Sequence, residues 1–518
     1  MGTADLVLYN ARVITLNERQ PEAELVAIEG NKILHVGGKN DPGLFKGTKA
    51  GLIDCEGRTV VPGFNDAHCH PLSLAVTLLH VDCSPSAVQS IAGIQACVRR
   101  QAEKAPRGKW VRAAQYNESL LAEKRPPNRR ELDEAAPDHP VILIHYSGGT
   151  CVLNSLALQL AGITRETPEP QGGHIGRDPV TGEPDGLICG SNEHVEKGVP
   201  PFDQEELERG VRLAGQEYLS CGITSLQDTG WDNGPGHWQA FQRIKEQEGL
   251  LPVRVSMMIG SDALEEFKSG GLAMGSGDSR LRLGGVKIAL DESTGCPHPP
   301  QEDLNYHALR AHQAGFQIAF HVNDLYTLKA ALASLDFVLK KISRPDHRHR
   351  LEHCAICSPE LLPELRKIGA MVVTQPPFLY YGGEEYFKTI SPDLLHWLYP
   401  MGSFHKQGLK IAASSDSPMM PCNPLTGIYT AVTRRTESGR VLSPDEGVSP
   451  LEVLKMYTLW AAYASFEDGI KGSISPGKLA DLVVLSGDPV QVAPEEIKEI
   501  KVLMTIVDGQ VRWERNAP

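Results

Sequence analysis

The stretch Val61-Pro-Gly-Phe-Asn-Asp-Ala-His68-Cys69-His70 runs from an apolar segment into a His-x-His pair. Side chains alternate along a strand, so His68 and His70 point one way and Cys69 the other. Two imidazoles side by side at the C-terminal mouth of a barrel strand suit a divalent metal. The pair alone is a weak signal, and the rest of the chain decides how it is read.

Working outward, the middle of the chain alternates short apolar runs with helical patterns, the signature of parallel βαβ units. Barrel-type strands are predicted at 60–65, 224–227, 253–258, 285–290, 317–321, 350–353, 371–374 and 411–413. Eight such strands close a (β/α)₈ barrel. Between the first two lies a long extra segment, 72–210, with strand-like runs of its own at 110–114 and 141–145. Both chain ends are β-rich. Gly30-Asn31 and Asp508-Gly509 each sit between two β-rich runs, as hairpin turns do. Neither end has enough apolar residues for a core alone, so pairing of the two is the economical reading. The expected fold is thus α/β: a TIM-type barrel over 59–472, an insertion over 72–210, and a small β-sandwich from 1–58 and 473–518.

Further chemistry-bearing residues fall at the ends of the predicted strands. His321 closes Ile318-Ala-Phe-His321 and His353 closes Arg350-Leu-Glu-His353. Asp416 follows Ile411-Ala-Ala-Ser-Ser. Barrel enzymes place their chemistry at strand C-termini. Four histidines and a carboxylate converging there make a plausible ligand set for Zn²⁺ or a similar ion. Lys287 lies inside an apolar strand, Gly284-Gly-Val-Lys287-Ile-Ala-Leu, where a lysine is costly unless paired or chemically altered. A buried pair with Asp291 is one reading. Carbamylation by CO₂, giving a carboxylate-like bridge between two cations, is the other.

Together these residues resemble the amidohydrolase superfamily, in particular its amidohydrolase 3 group, which includes N-substituted formamide deformylase. The resemblance runs nearly end to end. It rests on VPGFNDAHCH, GGVKI, FHVND, RLEHC, TQPPF (Thr374 to Phe378), SSDSP, KMYTLWAAYAS (Lys455 to Ser465) and SPGKLADLVVL (Ser475 to Leu485), in that order. It implies a metal-dependent hydrolase of amide-like, non-peptide C–N bonds, with a hydroxide bridging two divalent ions, Zn²⁺ by expectation. By resemblance His68 and His70 bind the more buried metal and carbamylated Lys287 bridges both. His321 and His353 hold the second metal, and Asp416 contacts the first and moves protons. The chain departs from the group at His321-Val-Asn-Asp324, at Asp291-Glu292 and at Ser147-Gly-Gly149, positions where substrate would be gripped. Candidate substrate contacts are His145 in the insertion, and Gln375, Phe378 and Tyr380 after strand seven, near Tyr381 and Trp397. Aromatic side chains suit an apolar pocket and suit loop packing equally.

Two other functions fit the same residues. One is a heterocycle deaminase or lactonase of the superfamily. The other is a silent scaffold, which has no need to keep the ligand set. Cys354-Ala-Ile-Cys357 is a lone CxxC and reads more simply as cysteines beside a ligand strand than as a redox site. No Gly-x-Ser-x-Gly elbow is present, so a serine hydrolase lacks its local signature. A net charge of −13 with no basic run argues against nucleic acid as a partner. No apolar run reaches the roughly 20 residues of a membrane span. The first residues do not read as an export signal, and eleven scattered cysteines suggest reduced thiols. A cytoplasmic enzyme with a small-molecule substrate is expected, with the oligomeric state open and a homodimer one option.

Overall fold

In the computed structural model, residues 4–38, 49–170, 173–190, 193–290 and 299–515 are described. Asp291 and Glu292, invoked above, lie outside them. The chain forms two compact units, Met1–Pro71 with Ala214–Pro518, and Leu72–Leu213.

The larger unit is built on an eight-stranded parallel sheet whose strands follow one another in chain order. They are Phe64–Cys69, Ile223–Asp228, Arg254–Gly260, Leu281–Ile288, Ile318–Val322, Arg350–His353, Met371–Thr374 and Ile411–Ala413. The last strand returns to the first. Asp416 N–H donates to His68 O (2.8 Å) and His70 N–H to Ser417 O (2.8 Å), nearly closing a barrel at its C-terminal rim. Ala67, Met371, Val373 and Ala412 pack with Ala461 and Ala464 of the helix Leu459–Ala464. Small side chains here let that helix seat against the closing strands.

The first strand differs from its sequence reading. The apolar run at 60–65 belongs to two strands: Thr59–Pro62 lies in a separate sheet, and the barrel strand starts at Phe64. Pro62 removes a donor, and Gly63 provides the crossing. A Cβ on Gly63 would sit 2.2 Å from Thr224 Oγ1, so the backbone passes where no side chain fits.

Thr59–Pro62 lies in a six-stranded sheet with Gln510–Glu514, Val502–Val507, Leu482–Leu485, Arg12–Ile14 and Glu22–Ala23, so both chain ends share one sheet. A four-stranded sheet holds Lys32–Gly37, Leu25–Glu29, Leu6–Tyr9 and Gly51–Asp54. Leu8, Val26 and Ile28 of this sheet share an apolar cluster with Val13, Val60, Leu482 and Ile506 of the other. The Gly30 and Asp508-Gly509 hairpins form as expected, with φ of +57°, +54° and +71°.

The smaller unit has its own mixed sheet of six strands, including Val111–Tyr116 and Val141–His145. Helices Ile91–Ala102 and Arg129–Ala135 bury Ile94, Val98 and Leu132 against it. Among the described residues no helix is long and apolar enough to cross a membrane.

Candidate metal centre

The C-terminal rim of the barrel brings the predicted donors together. His68 is buried near the end of the first strand and His70 follows it, half-buried. Their Nε2 atoms lie 3.5 Å and 3.1 Å from Asp416 Oδ1. One donor atom from each of the three falls within 4.8 Å of the others. Cys69 points away, its thiol toward Gln227 O at 3.6 Å, as strand alternation requires. His353 lies 4.7 Å from His68 with the rings tilted and 4.5 Å from His321 edge-on, centroid to centroid, so the imidazoles form one continuous group.

Strand alternation alone would not put His353 there. Arg350 and Glu352 face the barrel interior, which by period two turns His353 outward. A left-handed backbone at His353 (φ +67°) turns it back in, and Asp416 also sits at φ +59°. Left-handed non-glycine residues are costly and persist where the surroundings over-determine them.

The hydrogen bonds behind these donors fix which ring nitrogen is available. His68 Nδ1 lies 2.6 Å from Glu352 Oε2, so Nδ1 carries the proton and the Nε2 lone pair faces Asp416. Arg350 clamps Glu352 from the other side, through Nε to Oε1 (2.6 Å) and Nη2 to Oε2 (2.9 Å). The same guanidinium donates to Gln227 Oε1 (2.5 Å) and Ala67 O (2.7 Å), crossing the barrel floor beneath the donors. His353 Nδ1 meets Gln375 Oε1 at 2.9 Å, which directs Nε2 toward His321 Nδ1, 3.2 Å away. Burial, reinforced by Lys287 and the neighbouring imidazoles, holds His68 well below the ordinary imidazole range. Burial does the same for His353. Neutral rings with directed lone pairs are the state a cation needs.

Lys287 lies within its strand, 3% exposed, and among the described residues its Nζ has no hydrogen-bond partner. Burial pulls its pKa down to about 8, against the opposing pull of the Glu352 and Asp416 carboxylates. Asp66 is pushed up to about 7 by burial, although Ser415 donates to it through Oγ (2.5 Å) and N (3.0 Å). Those bonds hold the segment carrying Asp416 against the first strand. Asp228, at the end of the second strand, has Oδ1 4.0 Å from His70 Nδ1 and is held by Asn233.

The expected substrate contacts fall in different places. Gln375 is fully buried, with both ends of its amide engaged by His353 and Ser414. Phe378 packs near Tyr399, and Tyr380 against Tyr381 and Tyr429. His145 belongs to the smaller unit, with Nδ1 2.7 Å from Ser147 Oγ and Nε2 2.9 Å from Glu118 Oε2. Sequence reading missed Glu352, Arg350, Gln227 and Asp66. A signal existed in Arg350-Leu-Glu352: two opposite charges at i and i+2, on one face of a strand that is buried throughout.

The family model described as "Amidohydrolase family" matches residues 51–512. N-substituted formamide deformylase of Arthrobacter pascens is 31% identical, over 99% of this chain and 98% of its own. A metal-dependent hydrolase structure from Pyrococcus horikoshii superposes with a TM-score of 0.75 at 21% identity, over 95% of this chain and 99% of that one. Atrazine chlorohydrolase TrzN from Arthrobacter aurescens TC1, solved with zinc, superposes at 0.56 with 15% identity, over 99% and 97%. With a full-length relative, a family match over most of the sequence and a barrel rim of converging donors, the chain belongs to the amidohydrolase family and is a hydrolase of carbon–nitrogen bonds other than peptide bonds.

Proposed function

We propose that this enzyme hydrolyses an amide-like bond, of the N-acyl or formamide class, at a centre for two divalent ions bridged by carbamylated Lys287. His68, His70 and Asp416 would hold one ion, and His321 and His353 the other. The observation that carries this reading is Lys287, a buried amine whose Nζ is unsatisfied among the described residues, beside two carboxylates and the imidazole group. A buried polar atom without a partner is expensive, and a carbamate would put in its place an oxygen pair that divalent ions could satisfy. The neutral amine adds to CO₂ and releases one proton, leaving an anionic oxygen pair. A pKa near 8 keeps part of the amine neutral at physiological pH.

Divalent ions in this set supply Lewis-acid polarisation and lower the pKa of water from 15.7 to about 7. The chain's own residues do the rest. Glu352 and Gln375 hold the His68 and His353 rings in the orientation that exposes Nε2. Asp416, buried beside both strand-one imidazoles, is the group that takes the proton of the attacking water and returns it to the leaving nitrogen. Residues 1–58 and 473–518, together with the Thr59–Pro62 strand, would form a β-sandwich domain, the rest of 59–472 the catalytic barrel, and 72–210 its insertion. The described cysteines are free thiols, in keeping with a cytoplasmic protein.

Metal content of protein grown with zinc and bicarbonate tests the proposal, with ¹³C-bicarbonate to reveal a carbamate carbon. Near two ions per chain and a carbamate signal lost in Lys287→Met are expected. A panel of N-acyl, formamide, lactam, lactone and heterocyclic amine substrates follows. One ion per chain with no carbamate, together with ammonia release from aminated heterocycles, would overturn the reading in favour of a deaminase.

A further inference from the structure

A second group of donors lies apart from the barrel rim. Helix Gln204–Ser220 ends just before Cys221, whose N–H still bonds to Glu217 O at 3.2 Å. Glu217 and Cys221 are therefore four apart on one helical face, the spacing at which two side chains can share a ligand. Cys422 approaches from the segment before helix Pro424–Thr433. Its Sγ lies 3.8 Å from Cys221 Sγ. One atom each from Glu217, Cys221 and Cys422 lies within 4.8 Å of the other two.

The sulfur separation is informative. Two thiolates on a tetrahedral zinc with bonds of about 2.3 Å lie about 3.8 Å apart, the edge of that tetrahedron. A disulfide needs sulfurs at about 2.04 Å. The pair is spaced for a shared ion and too far apart for a bond. Cys422 is 4% exposed, Cys221 half-buried and Glu217 exposed, so the group has a deep end and an open one.

We propose that Glu217, Cys221 and Cys422 form a separate site for a thiophilic divalent ion, Zn²⁺ or Cd²⁺, with water completing its coordination. Binding balances as two thiols and one M²⁺ giving a dithiolate complex and two released protons. The site is structural in kind, because its ligands come from two segments that already meet. Tyr218 Oη lies 2.9 Å from Ser417 Oγ, beside Asp416. Cys422 sits on the same segment, six residues after Asp416. An ion here pins the Asp416 segment to the helix at a second point.

Cadmium is the probe, because thiolate-to-metal charge-transfer absorption reports cysteine ligands and the barrel donors contain none. The full-length reduced protein is titrated with Cd²⁺, alongside Cys221→Ser, Cys422→Ser and Glu217→Gln. The wild type is expected to develop the band and to hold about one more cadmium per chain than either cysteine variant. Glu217→Gln should keep the band with affinity lowered about tenfold or more. Independently, Zn²⁺ should protect Cys221 and Cys422 from alkylation in the wild type, read by peptide mass. Should buried Cys422→Ser fail to fold, Cys221→Ser and the protection assay carry the test. A band that survives loss of Cys221, or thiols that alkylate equally with and without zinc, overturns the proposal. So does a Cys221–Cys422 disulfide in protein that takes up no cadmium at these residues.

Discussion

Replacing Glu352 by Gln should uncouple His68 from its partner while leaving the shape of the barrel floor unchanged. The carboxylate receives three donors: His68 Nδ1 and Arg350 Nη2 at Oε2, and Arg350 Nε at Oε1. Glutamine keeps one acceptor oxygen and presents an NH₂ in place of the other. Toward Arg350, that NH₂ meets a buried N–H. Toward His68, it meets two donors and drives the imidazole to the tautomer whose Nε2 carries the proton. Either way the fully buried Arg350 cation is left with neutral acceptors alone, the retained amide oxygen, Gln227 Oε1 and Ala67 O.

Breaking a buried ion pair by removing one partner costs about 3–5 kcal/mol, and the retained oxygen argues for the lower end, about 3 kcal/mol of folding stability. Loss of a ligand-orienting partner costs about 10- to 100-fold in metal affinity. Denaturant unfolding of metal-free protein reads the first quantity, and competition against a calibrated chelator reads the second. The double variant Arg350→Met/Glu352→Leu separates them. Removing both charges should recover most of the stability, yet metal affinity should stay low because His68 Nδ1 remains unheld. Glu352→Gln protein that binds metal within about twofold of wild type would refute the claim that this carboxylate sets the His68 tautomer.

Asp416→Asn retains the size of the side chain and removes its capacity to accept a proton, so kcat should fall about 10²- to 10⁴-fold in metal-loaded protein, measured on whichever substrate the panel identifies. Gln375→Leu leaves His353 Nδ1 without its acceptor. Metal affinity should drop about tenfold or more by chelator competition, and an unchanged value would return Gln375 to the list of substrate contacts. Acid stability should report a second imidazole group, in which His312 Nδ1 lies 2.9 Å from His349 Nε2, and His347 Nδ1 accepts from His349 N–H at 2.9 Å. Burial lowers all three pKa values below 6.5. The unfolded chain then binds more protons at these residues. Their contribution is complete above the ordinary imidazole pKa and is lost as pH falls through it. Urea unfolding at pH 7.5, 6.5 and 5.5 should show that loss in wild type and a shallower one in His312→Gln; equal slopes would exclude the group as the cause.

Much of the barrel was legible because its signals are local. Apart from the first, the strands that end in a candidate ligand were found in place, since an apolar run closed by a polar residue is visible within a few positions. The first strand was misplaced for a physical reason. Val60 and Val61 are as apolar as Phe64, and only the Pro62-Gly63 break, forced by contact with Thr224 far along the chain, marks the passage from one sheet to the other. The apolar pattern cannot carry that information, because both sheets bury the same kind of side chain.

The site divides in the same way. His68, His70, His321, His353, Asp416 and Lys287 announce themselves as costly or chemically able residues at the ends or within the core of apolar strands. Gln375 was recognised within its motif, but its partner, His353 Nδ1, lies on another strand. Glu352 and Arg350 were passed over although they sit in the strand that supplied His353. Their meaning depends on Gln227, Ala67 and His68, which reach them only when the sheet closes on itself. Closure also explains why these residues bear on the proposed centre and not merely on the core. A buried Arg–Glu pair contributes little net stability compared with an apolar replacement. Its value here lies in direction: the Arg350 clamp fixes Glu352, Glu352 fixes the His68 proton, and the freed Nε2 faces Asp416. The Lys287 amine belongs to the same argument, because the floor that engages all three Arg350 nitrogens leaves, among the described residues, one amine unsatisfied beside the donors it would join.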